Sequence, residues 1–397
     1  MFNETSDVAI DPLTRLEPTL KAVGLSKDSA PSRPLQNETK EFTFTGSGKE
    51  YFRIWIVNLC LTIATIGIYS AWAKVRRLQY FHRNTQLGGA VFDFHGDPVA
   101  ILKGRILAIG LVSGYQYAFG FSKSVGIGIV CVLVMILPWL MRSALRFRMR
   151  NTSYRGLRFN FGGSSGGAYL TFFPIVLLFF LPSVLLALDP TYVKFIGYMF
   201  LLYLLWPLMN AQIKRYQHGH LEYGSSRAIY FVKNSQFLKP YFFAALIGIA
   251  GMFVAGILTA MLIRGGAAFS KSILHTVIEI GAMVIFAYFA YLLTGPYLQT
   301  RIYNIVWNNT RFPNVDIHSD LRAKAYIKLQ LVNTILTLLS LGLFRPFAVV
   351  RTYEYRLSCM SVKTPREFDN LLSAERRLVG DATGDGAADF LGIDLSW

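Results

Sequence analysis

Long apolar stretches with almost no charged residues alternate along this chain with short polar and basic segments. A helix needs about 20 apolar residues to cross the hydrocarbon core of a bilayer. Six stretches reach that length, at residues 99–120, 124–145, 168–188, 192–212, 240–264 and 272–294. The pattern therefore predicts an α-helical polytopic membrane protein in which these stretches are full transmembrane helices.

A further apolar segment occurs twice. Residues 51–80 align without a gap with residues 326–355, a shift of 275 positions. The alignment pairs Asn58 with Asn333, Thr62 with Thr337, Thr65 with Ser340, Gly67 with Gly342, and Tyr80 with Tyr355. Two unrelated apolar runs would share Leu and Ile, but not these polar residues and glycines in register. We therefore interpret the two segments as copies of an internal repeat.

Each copy contains residues that interrupt a helix. Gly67 is a poor residue for a helix interior, and Ser70 is a good N-cap for a new helix. We expect a half-depth helix, a bend and an interfacial amphipathic helix, so that each copy is a broken, re-entrant element. If both copies crossed the membrane fully, the protein would instead have eight spans.

Short segments of another kind alternate phenylalanine with polar residues. Residues 41–48 read EFTFTGSG, which is typical of a strand that runs into a turn. The same Phe-x-Phe pattern occurs within residues 82–98 and 148–163, with a fainter echo at residues 307–317. We expect these short β-strands to pair into a small sheet at the membrane face, as a cytoplasmic cap.

The ends of the chain differ from its middle. Residues 1–40 are polar, mixed in charge and without an apolar core, which predicts a disordered cytoplasmic tail. Residues 361–397 form a second polar tail. The membrane domain is therefore expected to cover residues 41–360.

Composition and charge extend this interpretation. Hydrophobic residues make up 53% and charged residues 16% of the chain, as in membrane proteins. The formal net charge of +17 arises largely from residues 74–105, 142–158, 214–239 and 301–328, which the positive-inside rule places in the cytoplasm. Re-entrant copies leave both termini cytoplasmic, whereas eight full spans would put them outside. Charge therefore favours the re-entrant arrangement.

Catalytic motifs are missing from the sequence. Cys60, Cys131 and Cys359 do not have the spacing of metal ligands, and no nucleophile–base arrangement, Walker loop or dinucleotide fingerprint occurs. We expect no enzyme activity, no cofactor and no nucleic-acid partner.

The polar residues at the two bends are the first candidate site: Asn58, Thr62, Thr65, Gly67, Asn333, Thr337, Ser340 and Gly342. Polar groups beside a break, present in two halves of a chain, resemble the broken-helix sites of transporters. The alternative is structural, since the same side chains can satisfy the backbone at a break and hold helices together.

Two other sets of residues are candidates. His275 and Glu279 lie one helical turn apart and could relay protons within the membrane, or could lie near the interface as packing residues. Trp72, Lys74, Arg76, Arg77 and Tyr80 form a predicted aromatic and basic belt, whose expected partner is anionic lipid headgroups of the bilayer.

Several motifs together resemble those of the YjgN-like family, which consists of bacterial inner-membrane proteins of unknown function. They are F-x-F-x-G, YF-x-x-W-x-x-N, LT-x-x-T-x-GIYSAWAKVR and NT-x-x-x-G-x-x-F-x-F, within about residues 41–360. The resemblance implies a multi-pass protein of the bacterial inner (cytoplasmic) membrane, but no activity, substrate or cofactor. The second copy departs from the motif, because Phe347 replaces Trp72 and Val349 replaces Lys74.

The functional prediction is a transporter or channel for a small solute or ion, with a path between the two repeat copies. The alternative is a non-transporting membrane module that binds lipid or another membrane protein. A water-accessible polar cavity that reaches Asn58 and Asn333 would favour transport, and a dry interior would favour the binding module.

Overall fold

The computed structural model describes residues 37–189, 191, 202–265 and 273–365. The helices within these ranges are α1 Gly48–Ala64, α2 Ser70–Arg83, α3 Pro98–Phe121, α4 Lys123–Arg150, α5 Ser165–Leu188, α6 Trp206–His218, α7 Ser235–Gly265, α8 Ile273–Asn308, α9 Ala323–Leu339 and α10 Arg345–Ser358. The strands are β1 Asn37–Phe44, β2 Thr85–Leu87, β3 Ala90–Phe94, β4 Thr152–Tyr154, β5 Leu157–Phe161, β6 Leu221–Tyr223, β7 Ser226–Arg227, β8 Ile229–Tyr230, β9 Thr310–Phe312, β10 Val315–Ser319 and β11 Met360–Pro365.

The strands form one antiparallel sheet of 11 strands that nearly closes into a barrel. Its order is β7-β6-β5-β4-β3-β2-β1-β11-β10-β9-β8. The two edge strands, β7 and β8, are separated along the chain only by Ala228, whose N–H donates to the carbonyl of Leu221 at 2.8 Å. One residue can bridge the two edges only if the sheet curls round, so almost no edge is left exposed.

The Phe-x-Phe strands do pair, as predicted. Phe42 lies opposite Leu87, Phe92 opposite Tyr154, and Phe159 opposite Tyr223. The sheet is much larger than the small one expected, because hairpins without this pattern also join it. Strand β1 also begins at Asn37, ahead of the expected boundary at residue 41.

Aromatic side chains fill the space that the sheet encloses. The ring centroids of Phe92 and Tyr154 are 4.6 Å apart, and those of Phe159 and Tyr223 are 4.7 Å apart. The Tyr154 hydroxyl donates to the carbonyl of Leu87 at 2.7 Å, and the Tyr223 hydroxyl donates to that of Tyr154 at 2.9 Å. These bonds satisfy the polar ends of buried rings.

In strands β3 and β5, the second phenylalanine of the Phe-x-Phe pattern packs between the sheet and the helices. Residues two apart on a strand lie on the same face, so Phe94 and Phe161 form the next layer along the enclosed space. Each is 1% exposed. Phe94 packs with Phe147, and Phe161 packs with Tyr216, all in clusters that join strands to helices.

Helices α1, α3 and α5 start within a few residues of a strand, because a capping residue lies between the two elements. The Ser47 hydroxyl accepts from the N–H of Glu50 at 3.2 Å, and Asp97 accepts from that of Val99 at 2.9 Å. Such caps satisfy backbone donors at a helix N-terminus. Helices therefore leave the sheet at defined points and return to it before the next strand.

The helices contact their neighbours in chain order, and α10 also packs against α1, so they form a closed ring above the sheet. Among the described residues, five segments are long and apolar enough to cross a membrane: Pro98–Ala118, Lys123–Arg150, Ser165–Leu188, Ser235–Met261 and Ile280–Asn308. They correspond to five of the six predicted spans. The other, residues 192–212, lies partly outside the described residues.

The two segments that we interpret as repeat copies are short helical hairpins, α1–α2 and α9–α10. Helices of 17 and 14 residues extend only about 25 and 21 Å. Each hairpin starts and ends at the sheet, since β1 and β2 pair with each other and β10 pairs with β11. The chain therefore turns back at each bend.

The backbone at the two bends is nearly identical. Ile66 and Leu341 have φ of 50° and 51°, and Gly67 and Gly342 have φ of 89° and 93°. In each bend the glycine N–H donates to a threonine carbonyl five residues earlier, at 2.7 Å. The bend lies where the sequence predicted it, and the glycine is needed because other residues rarely adopt this φ.

Candidate functional site

The hydroxyl groups of the predicted polar set are used within the bends. Thr62 and Thr337 each donate to the carbonyl four residues earlier, that of Asn58 or Asn333, at 2.6 Å. Thr65 accepts from the N–H of Tyr69 at 2.9 Å, and Ser340 accepts from that of Phe344 at 2.8 Å. These hydroxyls thus have local structural roles.

The prediction that Ser70 is the N-cap of the second helix was wrong. The N-cap position of α2 is Tyr69, and the hydroxyl that bonds to its N–H is that of Thr65. The Ser70 hydroxyl instead donates to the carbonyl of Gly67 at 2.5 Å and accepts from Arg105. A hydroxyl one turn before the helix reaches the free N–H because the bend is tight.

Asn333 joins the two helices of the second hairpin. Its side chain is 3% exposed, and its amide nitrogen donates to the carbonyl of Ala348 at 3.3 Å and to the Thr352 hydroxyl at 3.2 Å. The Thr352 hydroxyl itself donates to the Ala348 carbonyl at 2.7 Å, so it can only accept from Asn333. The amide orientation is therefore fixed, and its oxygen is buried without a partner among the described residues.

Asn58 occupies the corresponding place in the first hairpin. It is also buried, at 7% exposed, and its amide oxygen also has no partner within the described part of the chain. Its surroundings differ, because Arg77 stands where the second hairpin has Thr352 and offers no acceptor.

A cavity of about 440 Å³ opens beside Asn333. Residues of helices α2, α8, α9 and α10 line it, so both hairpins contribute to its wall. We call it the Asn333 pocket, and its polar lining is Arg77, Tyr288, Gln330, Asn333, Thr334, Thr337, Arg345, Thr352, Tyr353 and Arg356. Asn58 and Thr62 do not line it, so the predicted set is only partly brought together.

The charged side chains that line the Asn333 pocket are all positive. Its lining holds three arginines and no carboxylate. Arg356 is held in place, since its guanidinium donates to Gln299 at 3.1 Å and to the Tyr326 hydroxyl, and lies 5.3 Å from the Tyr326 ring centroid. Within the described ranges, neither Arg77 nor Arg345 forms a salt bridge.

The predicted aromatic and basic belt is spread over several environments. Arg76 is exposed, with its guanidinium 5.6 Å from the Tyr69 ring centroid. Trp72 and Lys74 are half-buried, and Arg77 lines the pocket. Tyr80 is buried, and its hydroxyl donates to the Ser47 carbonyl at 2.9 Å. Desolvation raises the Tyr80 pKa to about 12.

The side chains of His275 and Glu279, the predicted ionisable pair, lie outside the described residues. Elsewhere, Lys214 on α6 is a half-buried cation beyond the end of predicted span 192–212. Its ammonium donates to the Gln217 side chain at 3.1 Å, and burial, together with Arg148, lowers its pKa to about 8. Among the described residues, no His, Cys, Asp and Glu group could hold a metal ion.

Arg345, Arg356 and Gln330 are pocket residues that the analysis of the sequence did not single out. The alignment of the two segments could have identified them, because these three residues differ in charge or polarity from the residues aligned with them. The aligned residues of the first segment are Ser70, Phe81 and Trp55. Positions where one copy gains charge or polarity are candidates for a role that the other copy lacks.

The chain was also compared with known proteins. A family model described as "Bacterial protein of unknown function (DUF898)" matches residues 39–390. The chain is 33% identical to inner membrane protein YjgN of Escherichia coli O157:H7 over 144 residues, or 34% of this chain and 35% of that protein. It is 28% identical to inner membrane protein YjgN of Salmonella typhimurium over 158 residues, or 38% of each. These matches span little more than a third of the relatives, and no solved structure matches the chain.

Proposed function

Because this chain belongs to the family of bacterial proteins of unknown function DUF898, we infer its function from the pocket described above. We propose that it is a multi-pass protein of the bacterial inner membrane that transports a small solute or ion through the Asn333 pocket. The observation that carries this proposal is a polar cavity of about 440 Å³ bounded by both hairpins, where the sequence predicts a path. The apolar helices and the similarity to inner membrane proteins YjgN support the proposed location of the protein in the inner membrane.

The proposed topology places the sheet in the cytoplasm. Every described helix that leaves the sheet is followed by one that returns to it, and the basic segments of the chain lie at this end. The positive-inside rule then makes the sheet a cytoplasmic cap beneath six spans, with both termini on the same side. The matched bends support a true internal repeat whose copies dip into the membrane and return.

A path must be reachable by water, which cysteine labelling can test. Cys60, Cys131 and Cys359 would be replaced by serine, and Thr337→Cys or Thr352→Cys introduced into the full chain. Thr62→Cys is the matched control, because Thr62 corresponds to Thr337 but does not line the pocket. A membrane-impermeant maleimide would be applied to right-side-out and inverted vesicles.

We expect both pocket cysteines to react, from each side of the membrane, faster than Thr62→Cys. Labelling from one side only would contradict transport and leave a binding pocket. If neither pocket cysteine reacted from either side, the pocket would be dry and no solute could pass through it.

A membrane module that binds lipid is the second candidate function. It is favoured by exposed Arg76, which lies over Tyr69, while Tyr69 stacks on Trp72 with ring centroids 6.2 Å apart. Such a basic aromatic surface suits anionic headgroups. One-sided labelling of the pocket, with lipid binding lost in Arg76→Gln, would be the result expected of this function.

A further inference from the structure

The fold does not explain why an arginine occupies position 345 of the Asn333 pocket. Arg345 begins helix α10, where the positive end of the helix dipole opposes a cation. The first hairpin forms the same bend with Ser70 at this position, so the bend itself does not require an arginine. In the described residues, no carboxylate within salt-bridge distance offsets its charge.

The backbone positions of the three pocket arginines are distributed along the depth of the hairpins. Counted from the sheet end of their helices, Arg356 lies 2 residues in, Arg77 lies 6 residues in, and Arg345 lies 13 residues in. At 1.5 Å per residue these positions are about 3, 9 and 20 Å from the sheet. Positive charge therefore extends from the sheet side of the pocket to the level of the bend.

Local contacts hold the charge nearest the sheet in position. Tyr326, which is buried, and Gln299 both accept hydrogen bonds from Arg356. A guanidinium that is fixed in this way loses little side-chain freedom when it binds a ligand. At the other end, the N-terminus of α10 adds its dipole to the charge of Arg345, and helix N-termini favour anions.

We propose that the Asn333 pocket binds a phosphate group between Arg77 and Arg345. This inference names the ligand class of the proposed transport function and rests on that function's pocket. Planar guanidinium groups match the oxygens of carboxylate and phosphate, and the lining has no acidic side chain that would repel them. A cation would meet three positive charges there and is excluded by the same geometry.

A phosphate can reach this pocket as a free anion or as the headgroup of a lipid, and the experiment separates the two sources. Purified full-length protein would be titrated with inorganic phosphate by calorimetry in a zwitterionic detergent. In parallel, the protein would be placed in phosphatidylcholine nanodiscs with and without phosphatidylglycerol, and retained phosphatidylglycerol measured by native mass spectrometry.

The chain supplies matched variants. Arg345→Ser and Arg77→Thr install residues that the other hairpin tolerates at the same place. Arg53→Gln and Arg351→Gln remove exposed charges of the two hairpins without touching the lining. Losing one charged hydrogen-bonding partner should weaken binding about tenfold or more.

We expect Arg345→Ser and Arg77→Thr to weaken binding of one of the two probes at least that much, and the two control variants to leave it unchanged. Loss confined to inorganic phosphate identifies a free anion, and loss confined to phosphatidylglycerol identifies a headgroup. Binding of neither probe, or equal weakening by the control variants, overturns the proposal.

The outcomes also separate this inference from transport. Anion binding in a pocket whose cysteines react from one side only would keep the inference and reject transport. Two-sided labelling in a protein that binds neither probe would keep transport and reject the anion.

Discussion

Hairpins α1–α2 and α9–α10 share a backbone and differ in what they present to the interior. Both turn at a glycine with φ near 90°, and both bury an asparagine about two-thirds of the way along the first helix. The second hairpin forms most of the Asn333 pocket, whereas the first contributes only Arg77. The two hairpins thus share the same bend and differ in the residues that line the interior.

The changes are concentrated in a few substitutions. Trp55, Leu59, Ser70 and Phe81 of the first hairpin become pocket residues in the second, as Gln330, Thr334, Arg345 and Arg356. Each of these replacements adds polarity or charge to the wall. The comparison teaches that the bend residues maintain the shape, while ligand chemistry resides at positions where the copies disagree.

The largest effect on stability is expected at Lys214 of helix α6, when this helix is compared with the second helix of each hairpin. Lys214 lies seven residues before its strand, as do Leu78 in the first hairpin and Tyr353 in the second. Its folded pKa is about 8, against 10.5 when exposed. Between these pH values only the unfolded chain holds the proton, so the free energy of unfolding rises from about pH 8 to 10.5.

Lys214→Leu, which installs the residue of the first hairpin, should therefore raise the free energy of unfolding at pH 7 by up to about 3 kcal/mol. It should also abolish the rise between pH 8 and 10.5. Thermal unfolding in detergent across this pH range would measure both effects, with exposed Lys233→Leu as control. An unchanged pH dependence would show that Lys214 stays charged in the folded protein.

The second prediction concerns the two asparagines, which should respond differently to the same substitution. Asn333→Leu removes two hydrogen bonds together with an unpartnered amide oxygen, and should lower the free energy of unfolding by about 1 kcal/mol. Asn58→Leu removes an unpartnered buried amide oxygen and should be neutral or stabilise by about 1 kcal/mol.

Chemical denaturation of the two variants in the same detergent would measure the difference. Equal destabilisation would mean that Asn58 has a partner in the membrane, such as water or lipid. The two hairpins would then be more alike than their direct contacts indicate.

The sequence was informative where local chemistry decides the structure. Gly67 marks the bend because a positive φ imposes a requirement on a single residue. The capping hydroxyl was assigned to Ser70 instead of Thr65, because the tightness of the bend cannot be seen in the sequence. The Phe-x-Phe strands could also be predicted from their local pattern. Strands β6, β7 and β8 carry no such pattern and have 2 or 3 residues, so the closure of the barrel depends on pairing that only the fold supplies.

The pocket could be predicted only in part. Asn333 and Thr337 were identified because they recur in both copies, but Arg345 and Arg356 do not recur. Their meeting with Arg77 depends on the closure of the helix ring, which brings α10 beside the first hairpin. A search for residues shared by the two segments identifies those at the bend. The arginines of the pocket can be identified only from the contacts between helices that are distant along the chain.

The smallest expected effect tests whether the bends are truly equivalent. A Cβ at Gly67 or Gly342 would meet no atom within 4 Å, so alanine there should act only through the backbone. At φ of 89° and 93° it should lower the free energy of unfolding by about 1–2 kcal/mol in each hairpin, by the same amount. Gly110→Ala, also in open space but in a regular helix, should instead stabilise by up to about 1 kcal/mol. Thermal unfolding of the three variants provides the measurement. If the loss in free energy of unfolding differed between the two bends by more than about 1 kcal/mol, a contact beyond the backbone would distinguish the two hairpins at their tips. The structural equivalence of the hairpins would then end before the bend.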